Sequence, residues 1–286
     1  MNAEDITQTP PASAAHRDWR FERFTRLLGS GAMEVLAQSR VSVFGLGGVG
    51  GYAVEGLARS GVGCLTLVDF DRVCITNINR QLQALTETVG QPKARLMAER
   101  VLAINPKAEL LVHEEFYNQE SSDRLLTPAP DLVLDCIDNI TAKIHLVATC
   151  VERRIPVISS LGAAAKLDPT RVKAVPLSAT HTDPLGRALR RLLRRNYRMS
   201  NEDLGKITVV FSDEQVIPPT TDHGGVVCGV DCVCPGGDNP YHTCDHRRII
   251  YGSAVFVTSV FGMVAAATAV KRLLTISQCA DSGGVF

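Results

Sequence analysis

The sequence predicts an α/β domain: a doubly wound, mostly parallel sheet with helices on both faces and a C-terminal extension. Three observations point there. Short apolar runs of strand length alternate with longer segments of helical period. The first clear run, Val41 to Phe44, opens into a glycine turn, Gly45-x-Gly47-Gly48-x-Gly50, and then a helical pattern with Ala53, Leu57 and Ala58 on one face. The second run, Cys64 to Val68, ends on Asp69, 24 residues after Gly45. Strand, glycine turn, helix, strand and acid is the order of a nucleotide-binding unit. Glycine lets the backbone approach phosphate, and the helix start offers free N–H groups and a positive dipole end. A carboxylate after the second strand can accept from ribose hydroxyls. The glycine turn alone would also suit a tight strand-to-helix connection without a ligand. The order around it favours a nucleotide, with NAD the default and the choice still open at this point.

Composition sets the outer limits. The chain has 286 residues, 45% hydrophobic and 21% charged, with zero formal net charge. That suits one large α/β domain or two small ones, and it confines any nucleic-acid surface to a local patch. Residues 1–16 are polar, contain Pro10 and Pro11, and lack an apolar signal core, so a disordered leader is expected. The main domain is expected over 17–275, with substrate elements in 163–250 and a flexible tail over 276–286. Ile249 to Val270 is 22 residues without a charge, long enough for a membrane span. Its polar and small residues, Gly252, Ser253, Thr258, Ser259, Gly262 and Thr268, favour a buried core helix instead. Nine cysteines and no secretory signal point to reduced thiols in a cytoplasmic protein without a membrane anchor.

In chain order, Arg17 to Met33 reads as a helix with Trp19, Phe24, Leu27 and Leu28 apolar, ended by Gly29 and Gly31. Arg20, Arg23 and Arg26 share a face there, the pattern of a solvated basic face. After Asp69, the residues Asp71, Asn77, Asn79 and Arg80 crowd a short loop. Asp and Asn can hold a metal, and Arg80 can pair with a phosphate in a bidentate way. Gly90-Gln91-Pro92-Lys93 starts a helix through Ile104, with proline suited to the first turn. Lys93 then stands near a helix N-terminus, where it could meet a triphosphate. Taken singly it is an ordinary surface lysine. Leu110 to His113, Asp131 to Ile137 and Ile155 to Ser159 read as further strands. The central one runs into Asp138-Asn139, at the end of the strand where an open parallel sheet holds its ligand. Asp138 is also placed to cap a helix from Thr141.

The combination GLGGVG, LVDFDRVCITNINRQ, GQPKA, INP and LDCIDN resembles the ThiF/MoeB/ubiquitin-activating-enzyme superfamily, with a Rossmann-like fold, across Arg20 to about Gly162. The resemblance changes the expected nucleotide from NAD to ATP and implies activation of a carboxylate. It implies that Gly45, Gly47, Gly48, Gly50 and Asp69 hold the nucleotide, with Asp71 of the following loop as a further candidate beside them. Asn77, Arg80 and Lys93 would contact its phosphates, and Asp138 would hold magnesium. Arg23 matches an arginine that reaches the partner subunit's nucleotide in family dimers, so a homodimer is implied, with Arg23, Arg80, Lys93 and Asp138 as the catalytic set.

The C-terminal half discriminates between branches. Sulfur-carrier activators usually carry two CxxC pairs, and this chain has none. Leu161-Gly162-Ala163, Asp168-Pro169-Thr170, Asp183-Pro184-Leu185, Val210-Phe211-Ser212 and Gly252-Ser253-Ala254 make a layout similar to the TcdA-like tRNA threonylcarbamoyladenosine dehydratase branch. The implied reaction is ATP-dependent cyclisation of threonylcarbamoyladenosine in tRNA, by adenylation or phosphorylation of its carboxylate. A cysteine desulfurase or sulfur acceptor is a candidate partner. The alternative is adenylation of the C-terminal Gly-Gly of a small sulfur carrier. A thiol that some branch members carry ahead of the Val-Phe-Ser segment is Val209 here. Arg187, Arg190, Arg191, Arg194, Arg195 and Arg198 fall on one helical face, with Leu189, Leu192 and Leu193 behind. No acid stands between Asp183 and Glu202. Such a stripe suits a tRNA backbone and equally a solvated face. Cys228, Cys232, Cys234 and Cys244 form C-x3-C-x-C-x9-C. That spacing leaves three readings open: zinc, a reduced crossover loop, or a cysteine that takes an acyl group.

Overall fold

The computed structural model describes residues 18–219 and 251–281, with side chains described to residue 277. A 3-10 turn, Trp19–Phe21, leads into α1 (Glu22–Leu28) and α2 (Ser30–Gln38). The single N-terminal helix expected from the sequence is therefore two. Gly29, at φ +86°, ends the first and starts the second, and Gly31 lies inside α2 rather than ending a helix. Then follow β1 (Arg40–Phe44), α3 (Gly50–Arg59), β2 (Cys64–Val68), α4 (Lys93–Ile104), β3 (Glu109–His113), α5 (Ser122–Leu125), β4 (Leu132–Asp135), α6 (Ile140–Glu152) and β5 (Val157–Ser160). The last part holds β6 (Val172–Pro176), α7 (Pro184–Tyr197), α8 (Asn201–Lys206), β7 (Thr208–Ser212) and α9 (Val255–Asp281).

The seven strands form one sheet in the order β3-β2-β1-β4-β5-β7-β6. Every neighbouring pair is parallel except the β6–β7 edge. Side chains alternate across the sheet, so each strand feeds two cores. Val41, Val43, Leu65, Leu67, Leu132, Leu134 and Val210 join one core with α2, α3, α4 and α9. Phe44, Val68, Val133, Val157, Val209 and Phe211 join the other with α5, α6, α7 and α8. Helices thus cover both faces, as a parallel sheet requires, and the doubly wound fold expected from the sequence is the one observed.

Strand β4 is shorter than its apolar run. Cys136 N still donates to Phe44 O at 2.8 Å, but the chain leaves the sheet there to form the turn to Asp138. β6 had no counterpart in the sequence reading, because this edge strand is half-exposed and carries a proline. α9 starts at Val255, after Gly252 and Ser253. Val255–Ser277 is long and apolar enough to cross a bilayer. One side of it is nevertheless in the core: Val257, Phe261, Ala265, Ala269 and Leu273 pack among the sheet and α3 side chains.

Candidate nucleotide site

The strand order reverses between β1 and β4. From β1 the chain winds outward through β2 and β3, and from β4 it winds the other way through β5. Such a switch point leaves a crevice at the carboxyl ends of the two central strands. The glycine turn follows β1 and the Cys136–Asp138 turn follows β4, so both border that crevice.

Close packing dictates the glycines. Gly45 sits at φ +86°, and a Cβ on it would lie 2.8 Å from Cys136 O. One on Gly50 would lie 1.8 Å from Gly45 O. Gly47 is different: the nearest atom to an added Cβ is Gln81 Nε2 at 3.9 Å, so the turn's backbone can be approached there. Gly48 lies under the backbone and stem of Arg80, with Arg80 O at 3.3 Å from an added Cβ.

Asp69 holds the turn in shape. Its Oδ2 accepts from Leu46 N at 2.5 Å and its Oδ1 from Asp71 N at 2.8 Å. The carboxylate is buried, and burial pushes its pKa up, with the Lys93 ammonium and the two N–H bonds opposing that shift. Lys93 is the first residue of α4 and only 5% exposed, not the surface lysine its type suggests. Pro92 before it is the N-cap, one position earlier than the first turn. Lys93 Nζ donates to Asp71 Oδ2 at 2.8 Å. Burial works against its charge, but Asp69, Asp71 and Asp138 hold its pKa above the ordinary lysine value. Those four groups therefore share one electrostatic neighbourhood.

The other sequence candidates are placed as follows. Asn77 is buried, and its Oδ1 accepts from Cys74 N at 3.1 Å, so its amide oxygen shapes its own turn. The Arg80 guanidinium donates to Thr76 O at 2.8 Å and to Asn79 Oδ1 at 3.0 Å. Asp138 is exposed. The cap of α6 is its neighbour: Asn139 Oδ1 accepts from Thr141 N and Ala142 N at 3.0 and 3.1 Å. Arg23 is exposed on α1. Nearby Phe21 packs at Gly61, beyond the end of α3 opposite the glycine turn, which places Arg23 away from its own chain's crevice. Among the described residues no group of three or more His, Cys, Asp or Glu could hold a metal ion. The candidate zinc thiols Cys228, Cys232, Cys234 and Cys244 lie outside the described residues.

The profile of the ThiF family matches residues 21–283. The chain belongs to the ThiF family. It is similar to the tRNA threonylcarbamoyladenosine dehydratase of Escherichia coli, 36% identical over 257 residues, 89% of this chain and 93% of the relative. It is 47% identical over 199 residues to the Bacillus subtilis protein of the same name, covering 69% and 76% of the two chains. The solved structure of E. coli tRNA N6-threonylcarbamoyladenosine dehydratase, TcdA, in complex with ATP superposes with a TM-score of 0.77 at 33% identity. The match covers 91% of this chain and 95% of that one.

The arginine stripe of this ThiF-family chain lies on α7. Leu189 and Leu193 are buried beneath it, and Asp183 caps its start through Gly186 N at 2.8 Å. Arg187, Arg191, Arg194 and Arg195 are exposed. Arg190 stands at the margin of the stripe and turns inward to Thr180 Oγ1. Arg198 follows the helix as its C-cap in the left-handed region, so five of the six arginines lie within the helix.

Two buried ion pairs escaped the sequence reading. Lys143 Nζ meets Asp135 Oδ2 at 2.7 Å, both fully buried. Lys166 Nζ lies 3.3 Å from Asp183 Oδ2, and both are nearly as buried. One signal was available: Lys143 is a lone cation inside the apolar face of α6, among Ala142, Ile144, Leu146 and Val147.

Proposed function

We propose that this chain catalyses ATP-dependent dehydration of threonylcarbamoyladenosine in tRNA, in the cytoplasm and as a homodimer. One observation carries the reading. Asp69, Asp71, Lys93 and Asp138 gather beside the glycine turn at the switch point of the sheet, in a chain whose relatives over nearly full length are named for this reaction.

The glycine turn and the start of α3 would receive phosphate oxygens through backbone N–H groups. Asp69 uses one bond on each oxygen for the turn and keeps acceptor capacity for ribose hydroxyls. The cluster carries three carboxylates against the Lys93 ammonium, so a triphosphate would need a divalent cation beside it. Magnesium can be held through a single carboxylate, here Asp138, with phosphate oxygens and water completing the shell. It would neutralise phosphate charge. Lys93 and Arg80, with Arg23 from a second copy, would stabilise charge on the phosphates as the substrate carboxylate attacks. Attack at the α-phosphorus releases pyrophosphate and leaves an acyl adenylate. Attack within the substrate then closes the ring and releases AMP, a net loss of water. Proximity is built into that second step. Attack at the γ-phosphorus would engage the same residues and release ADP, so the nucleotide product separates the two routes.

The α7 stripe is the proposed contact for the tRNA backbone. The proposed dimer face is apolar and exposed. It comprises Val255, Phe256 and Met263 of α9, with Ile75 and Ile78 on the loop that Asn79 ties to Ser253 O at 2.9 Å.

The test is mass spectrometry of adenosine from threonylcarbamoylated tRNA incubated with the protein and ATP. Loss of one water is expected. Asp138→Ala should keep the fold, because the side chain is exposed, and lose turnover by at least about a hundredfold. Normal turnover in that variant would remove Asp138 from the mechanism. Pyrophosphate exchange with a Gly-Gly sulfur carrier, and none with the modified tRNA, would favour the sulfur-carrier alternative.

A further inference from the structure

The Asp135–Lys143 pair is the most deeply buried charged group among the described residues, and nothing in the reading above uses it. Two charges in a dry interior are costly to desolvate, and apolar residues of similar volume often serve stability as well or better. Its hydrogen bonds show what it holds. Asp135 Oδ2 accepts from Lys143 Nζ at 2.7 Å and from Ser159 Oγ at 2.6 Å. Lys143 Nζ also donates to Ser160 O at 2.9 Å. The pair therefore ties the ends of β4 and β5 to the first turns of α6. The other carboxylate oxygen, Asp135 Oδ1, accepts from Ile137 N at 3.1 Å, within the turn that carries Asp138.

That turn is gripped from every side. Cys136 N is bonded to Phe44 O, and Cys136 O presses on Gly45. Ile137 N is bonded to Asp135. On the far side, Asn139 caps α6, and Lys143 N donates to Asn139 O at 2.9 Å. Asp138 is thus one exposed residue between two anchored neighbours: Ile137 is bonded to Asp135, which the Lys143 side chain holds, and Asn139 is bonded to the Lys143 backbone.

We propose that Asp135 and Lys143 are positioning residues that fix the turn presenting Asp138 to the nucleotide. The inference rests on the role given to Asp138 above. The closed network of Asp135, Lys143, Ser159 and the Ile137 N–H restricts where the Asp138 carboxylate can stand, and a small misplacement of a reacting group is expensive in rate.

The test replaces both charges together, as Asp135→Leu/Lys143→Met, because either single change would strand a buried charge. ATP turnover with threonylcarbamoylated tRNA and the thermal midpoint are measured alongside Asp138→Ala. The expected result is a folded protein with a cooperative melt, an ATP KM within about threefold of the parent, and kcat lower by at least about tenfold. A folded double variant with parental kcat would overturn the inference, since a purely structural pair should be replaceable. If the double variant does not fold, Ser159→Ala decides. It keeps the pair and removes one anchor, so a lower kcat at unchanged ATP KM supports positioning and an unchanged kcat overturns it. Loss of turnover in Asp138→Ala with parental kcat in the double variant sinks only the positioning role. Normal turnover in Asp138→Ala sinks the role of Asp138 and this inference with it.

Discussion

Lys93 and Asp69 would each be unfavourable at their depth alone, and each is tolerable because the other is there. Burial opposes both charges and their mutual attraction works against it; Asp71 and Asp138 add to the hold on the Lys93 charge, whereas Asp71 repels the Asp69 carboxylate, whose pKa stays raised. These residues were legible in the sequence because their spacing is local: a glycine turn, an acid after the next strand, a lysine at a helix start. Lys143 was not legible. A lone lysine on a helix normally points to water, and its partner Asp135 comes from the preceding strand through tertiary packing. Cys136 lies beside the glycine turn, yet burial and the neighbouring Asp135 push its thiol up to about 12. At pH 8 only about one thiol in ten thousand would be ionised. Iodoacetamide at that pH should leave Cys136 unmodified until the protein is unfolded, as peptide mapping would show, and rapid alkylation of the native protein would contradict this.

Elements were legible in proportion to how local their determinants are. β1, β2 and β4 announce themselves as apolar runs. The N-terminal helix pair does not, since the break at Gly29 depends on a backbone angle that composition does not reveal. Edge strand β6 is hidden because Val172-Lys173-Ala174-Val175-Pro176 is half wet. Its antiparallel pairing with β7 is clamped at one end by Asp213, which accepts from Arg171 Nε at 2.6 Å and Lys173 Nζ at 2.5 Å. Those two cations pull the Asp213 carboxyl down from 3.8 to about 2. A depressed acid contributes stability that is full above 3.8 and fades as pH falls towards 2. Acid unfolding followed by circular dichroism should therefore lose part of its pH dependence in that window in Asp213→Asn. For α7 the expected readout is ionic. Changing Arg187, Arg191 or Arg195 to Ala should each weaken tRNA binding and flatten the log–log salt dependence by about one unit of slope. Unchanged slopes in all three would leave the stripe as a solvated face.

At the scale of the whole molecule, the sequence carried the doubly wound fold because alternating strands and helices admit few other arrangements. It did not carry the placement of Arg23, which depends on where the 3-10 turn leading into α1 docks, with Phe21 at Gly61 and not at the crevice. If Arg23 serves a neighbour's crevice, Arg23→Ala and Asp138→Ala should each be inactive, and mixing the two should restore some turnover through mixed dimers. No recovery after verified subunit exchange would argue against sharing. ATP at a hundred times its Kd should stabilise the fold by about 2.7 kcal/mol, seen as a raised melting midpoint. The reversal between β1 and β4 gives that effect a shape. The crevice is a seam between two halves of the sheet, joined edge to edge by the β1–β4 ladder. A nucleotide lying across it would act as a rivet, so slowed amide exchange should spread into β2 on one flank and β5 on the other.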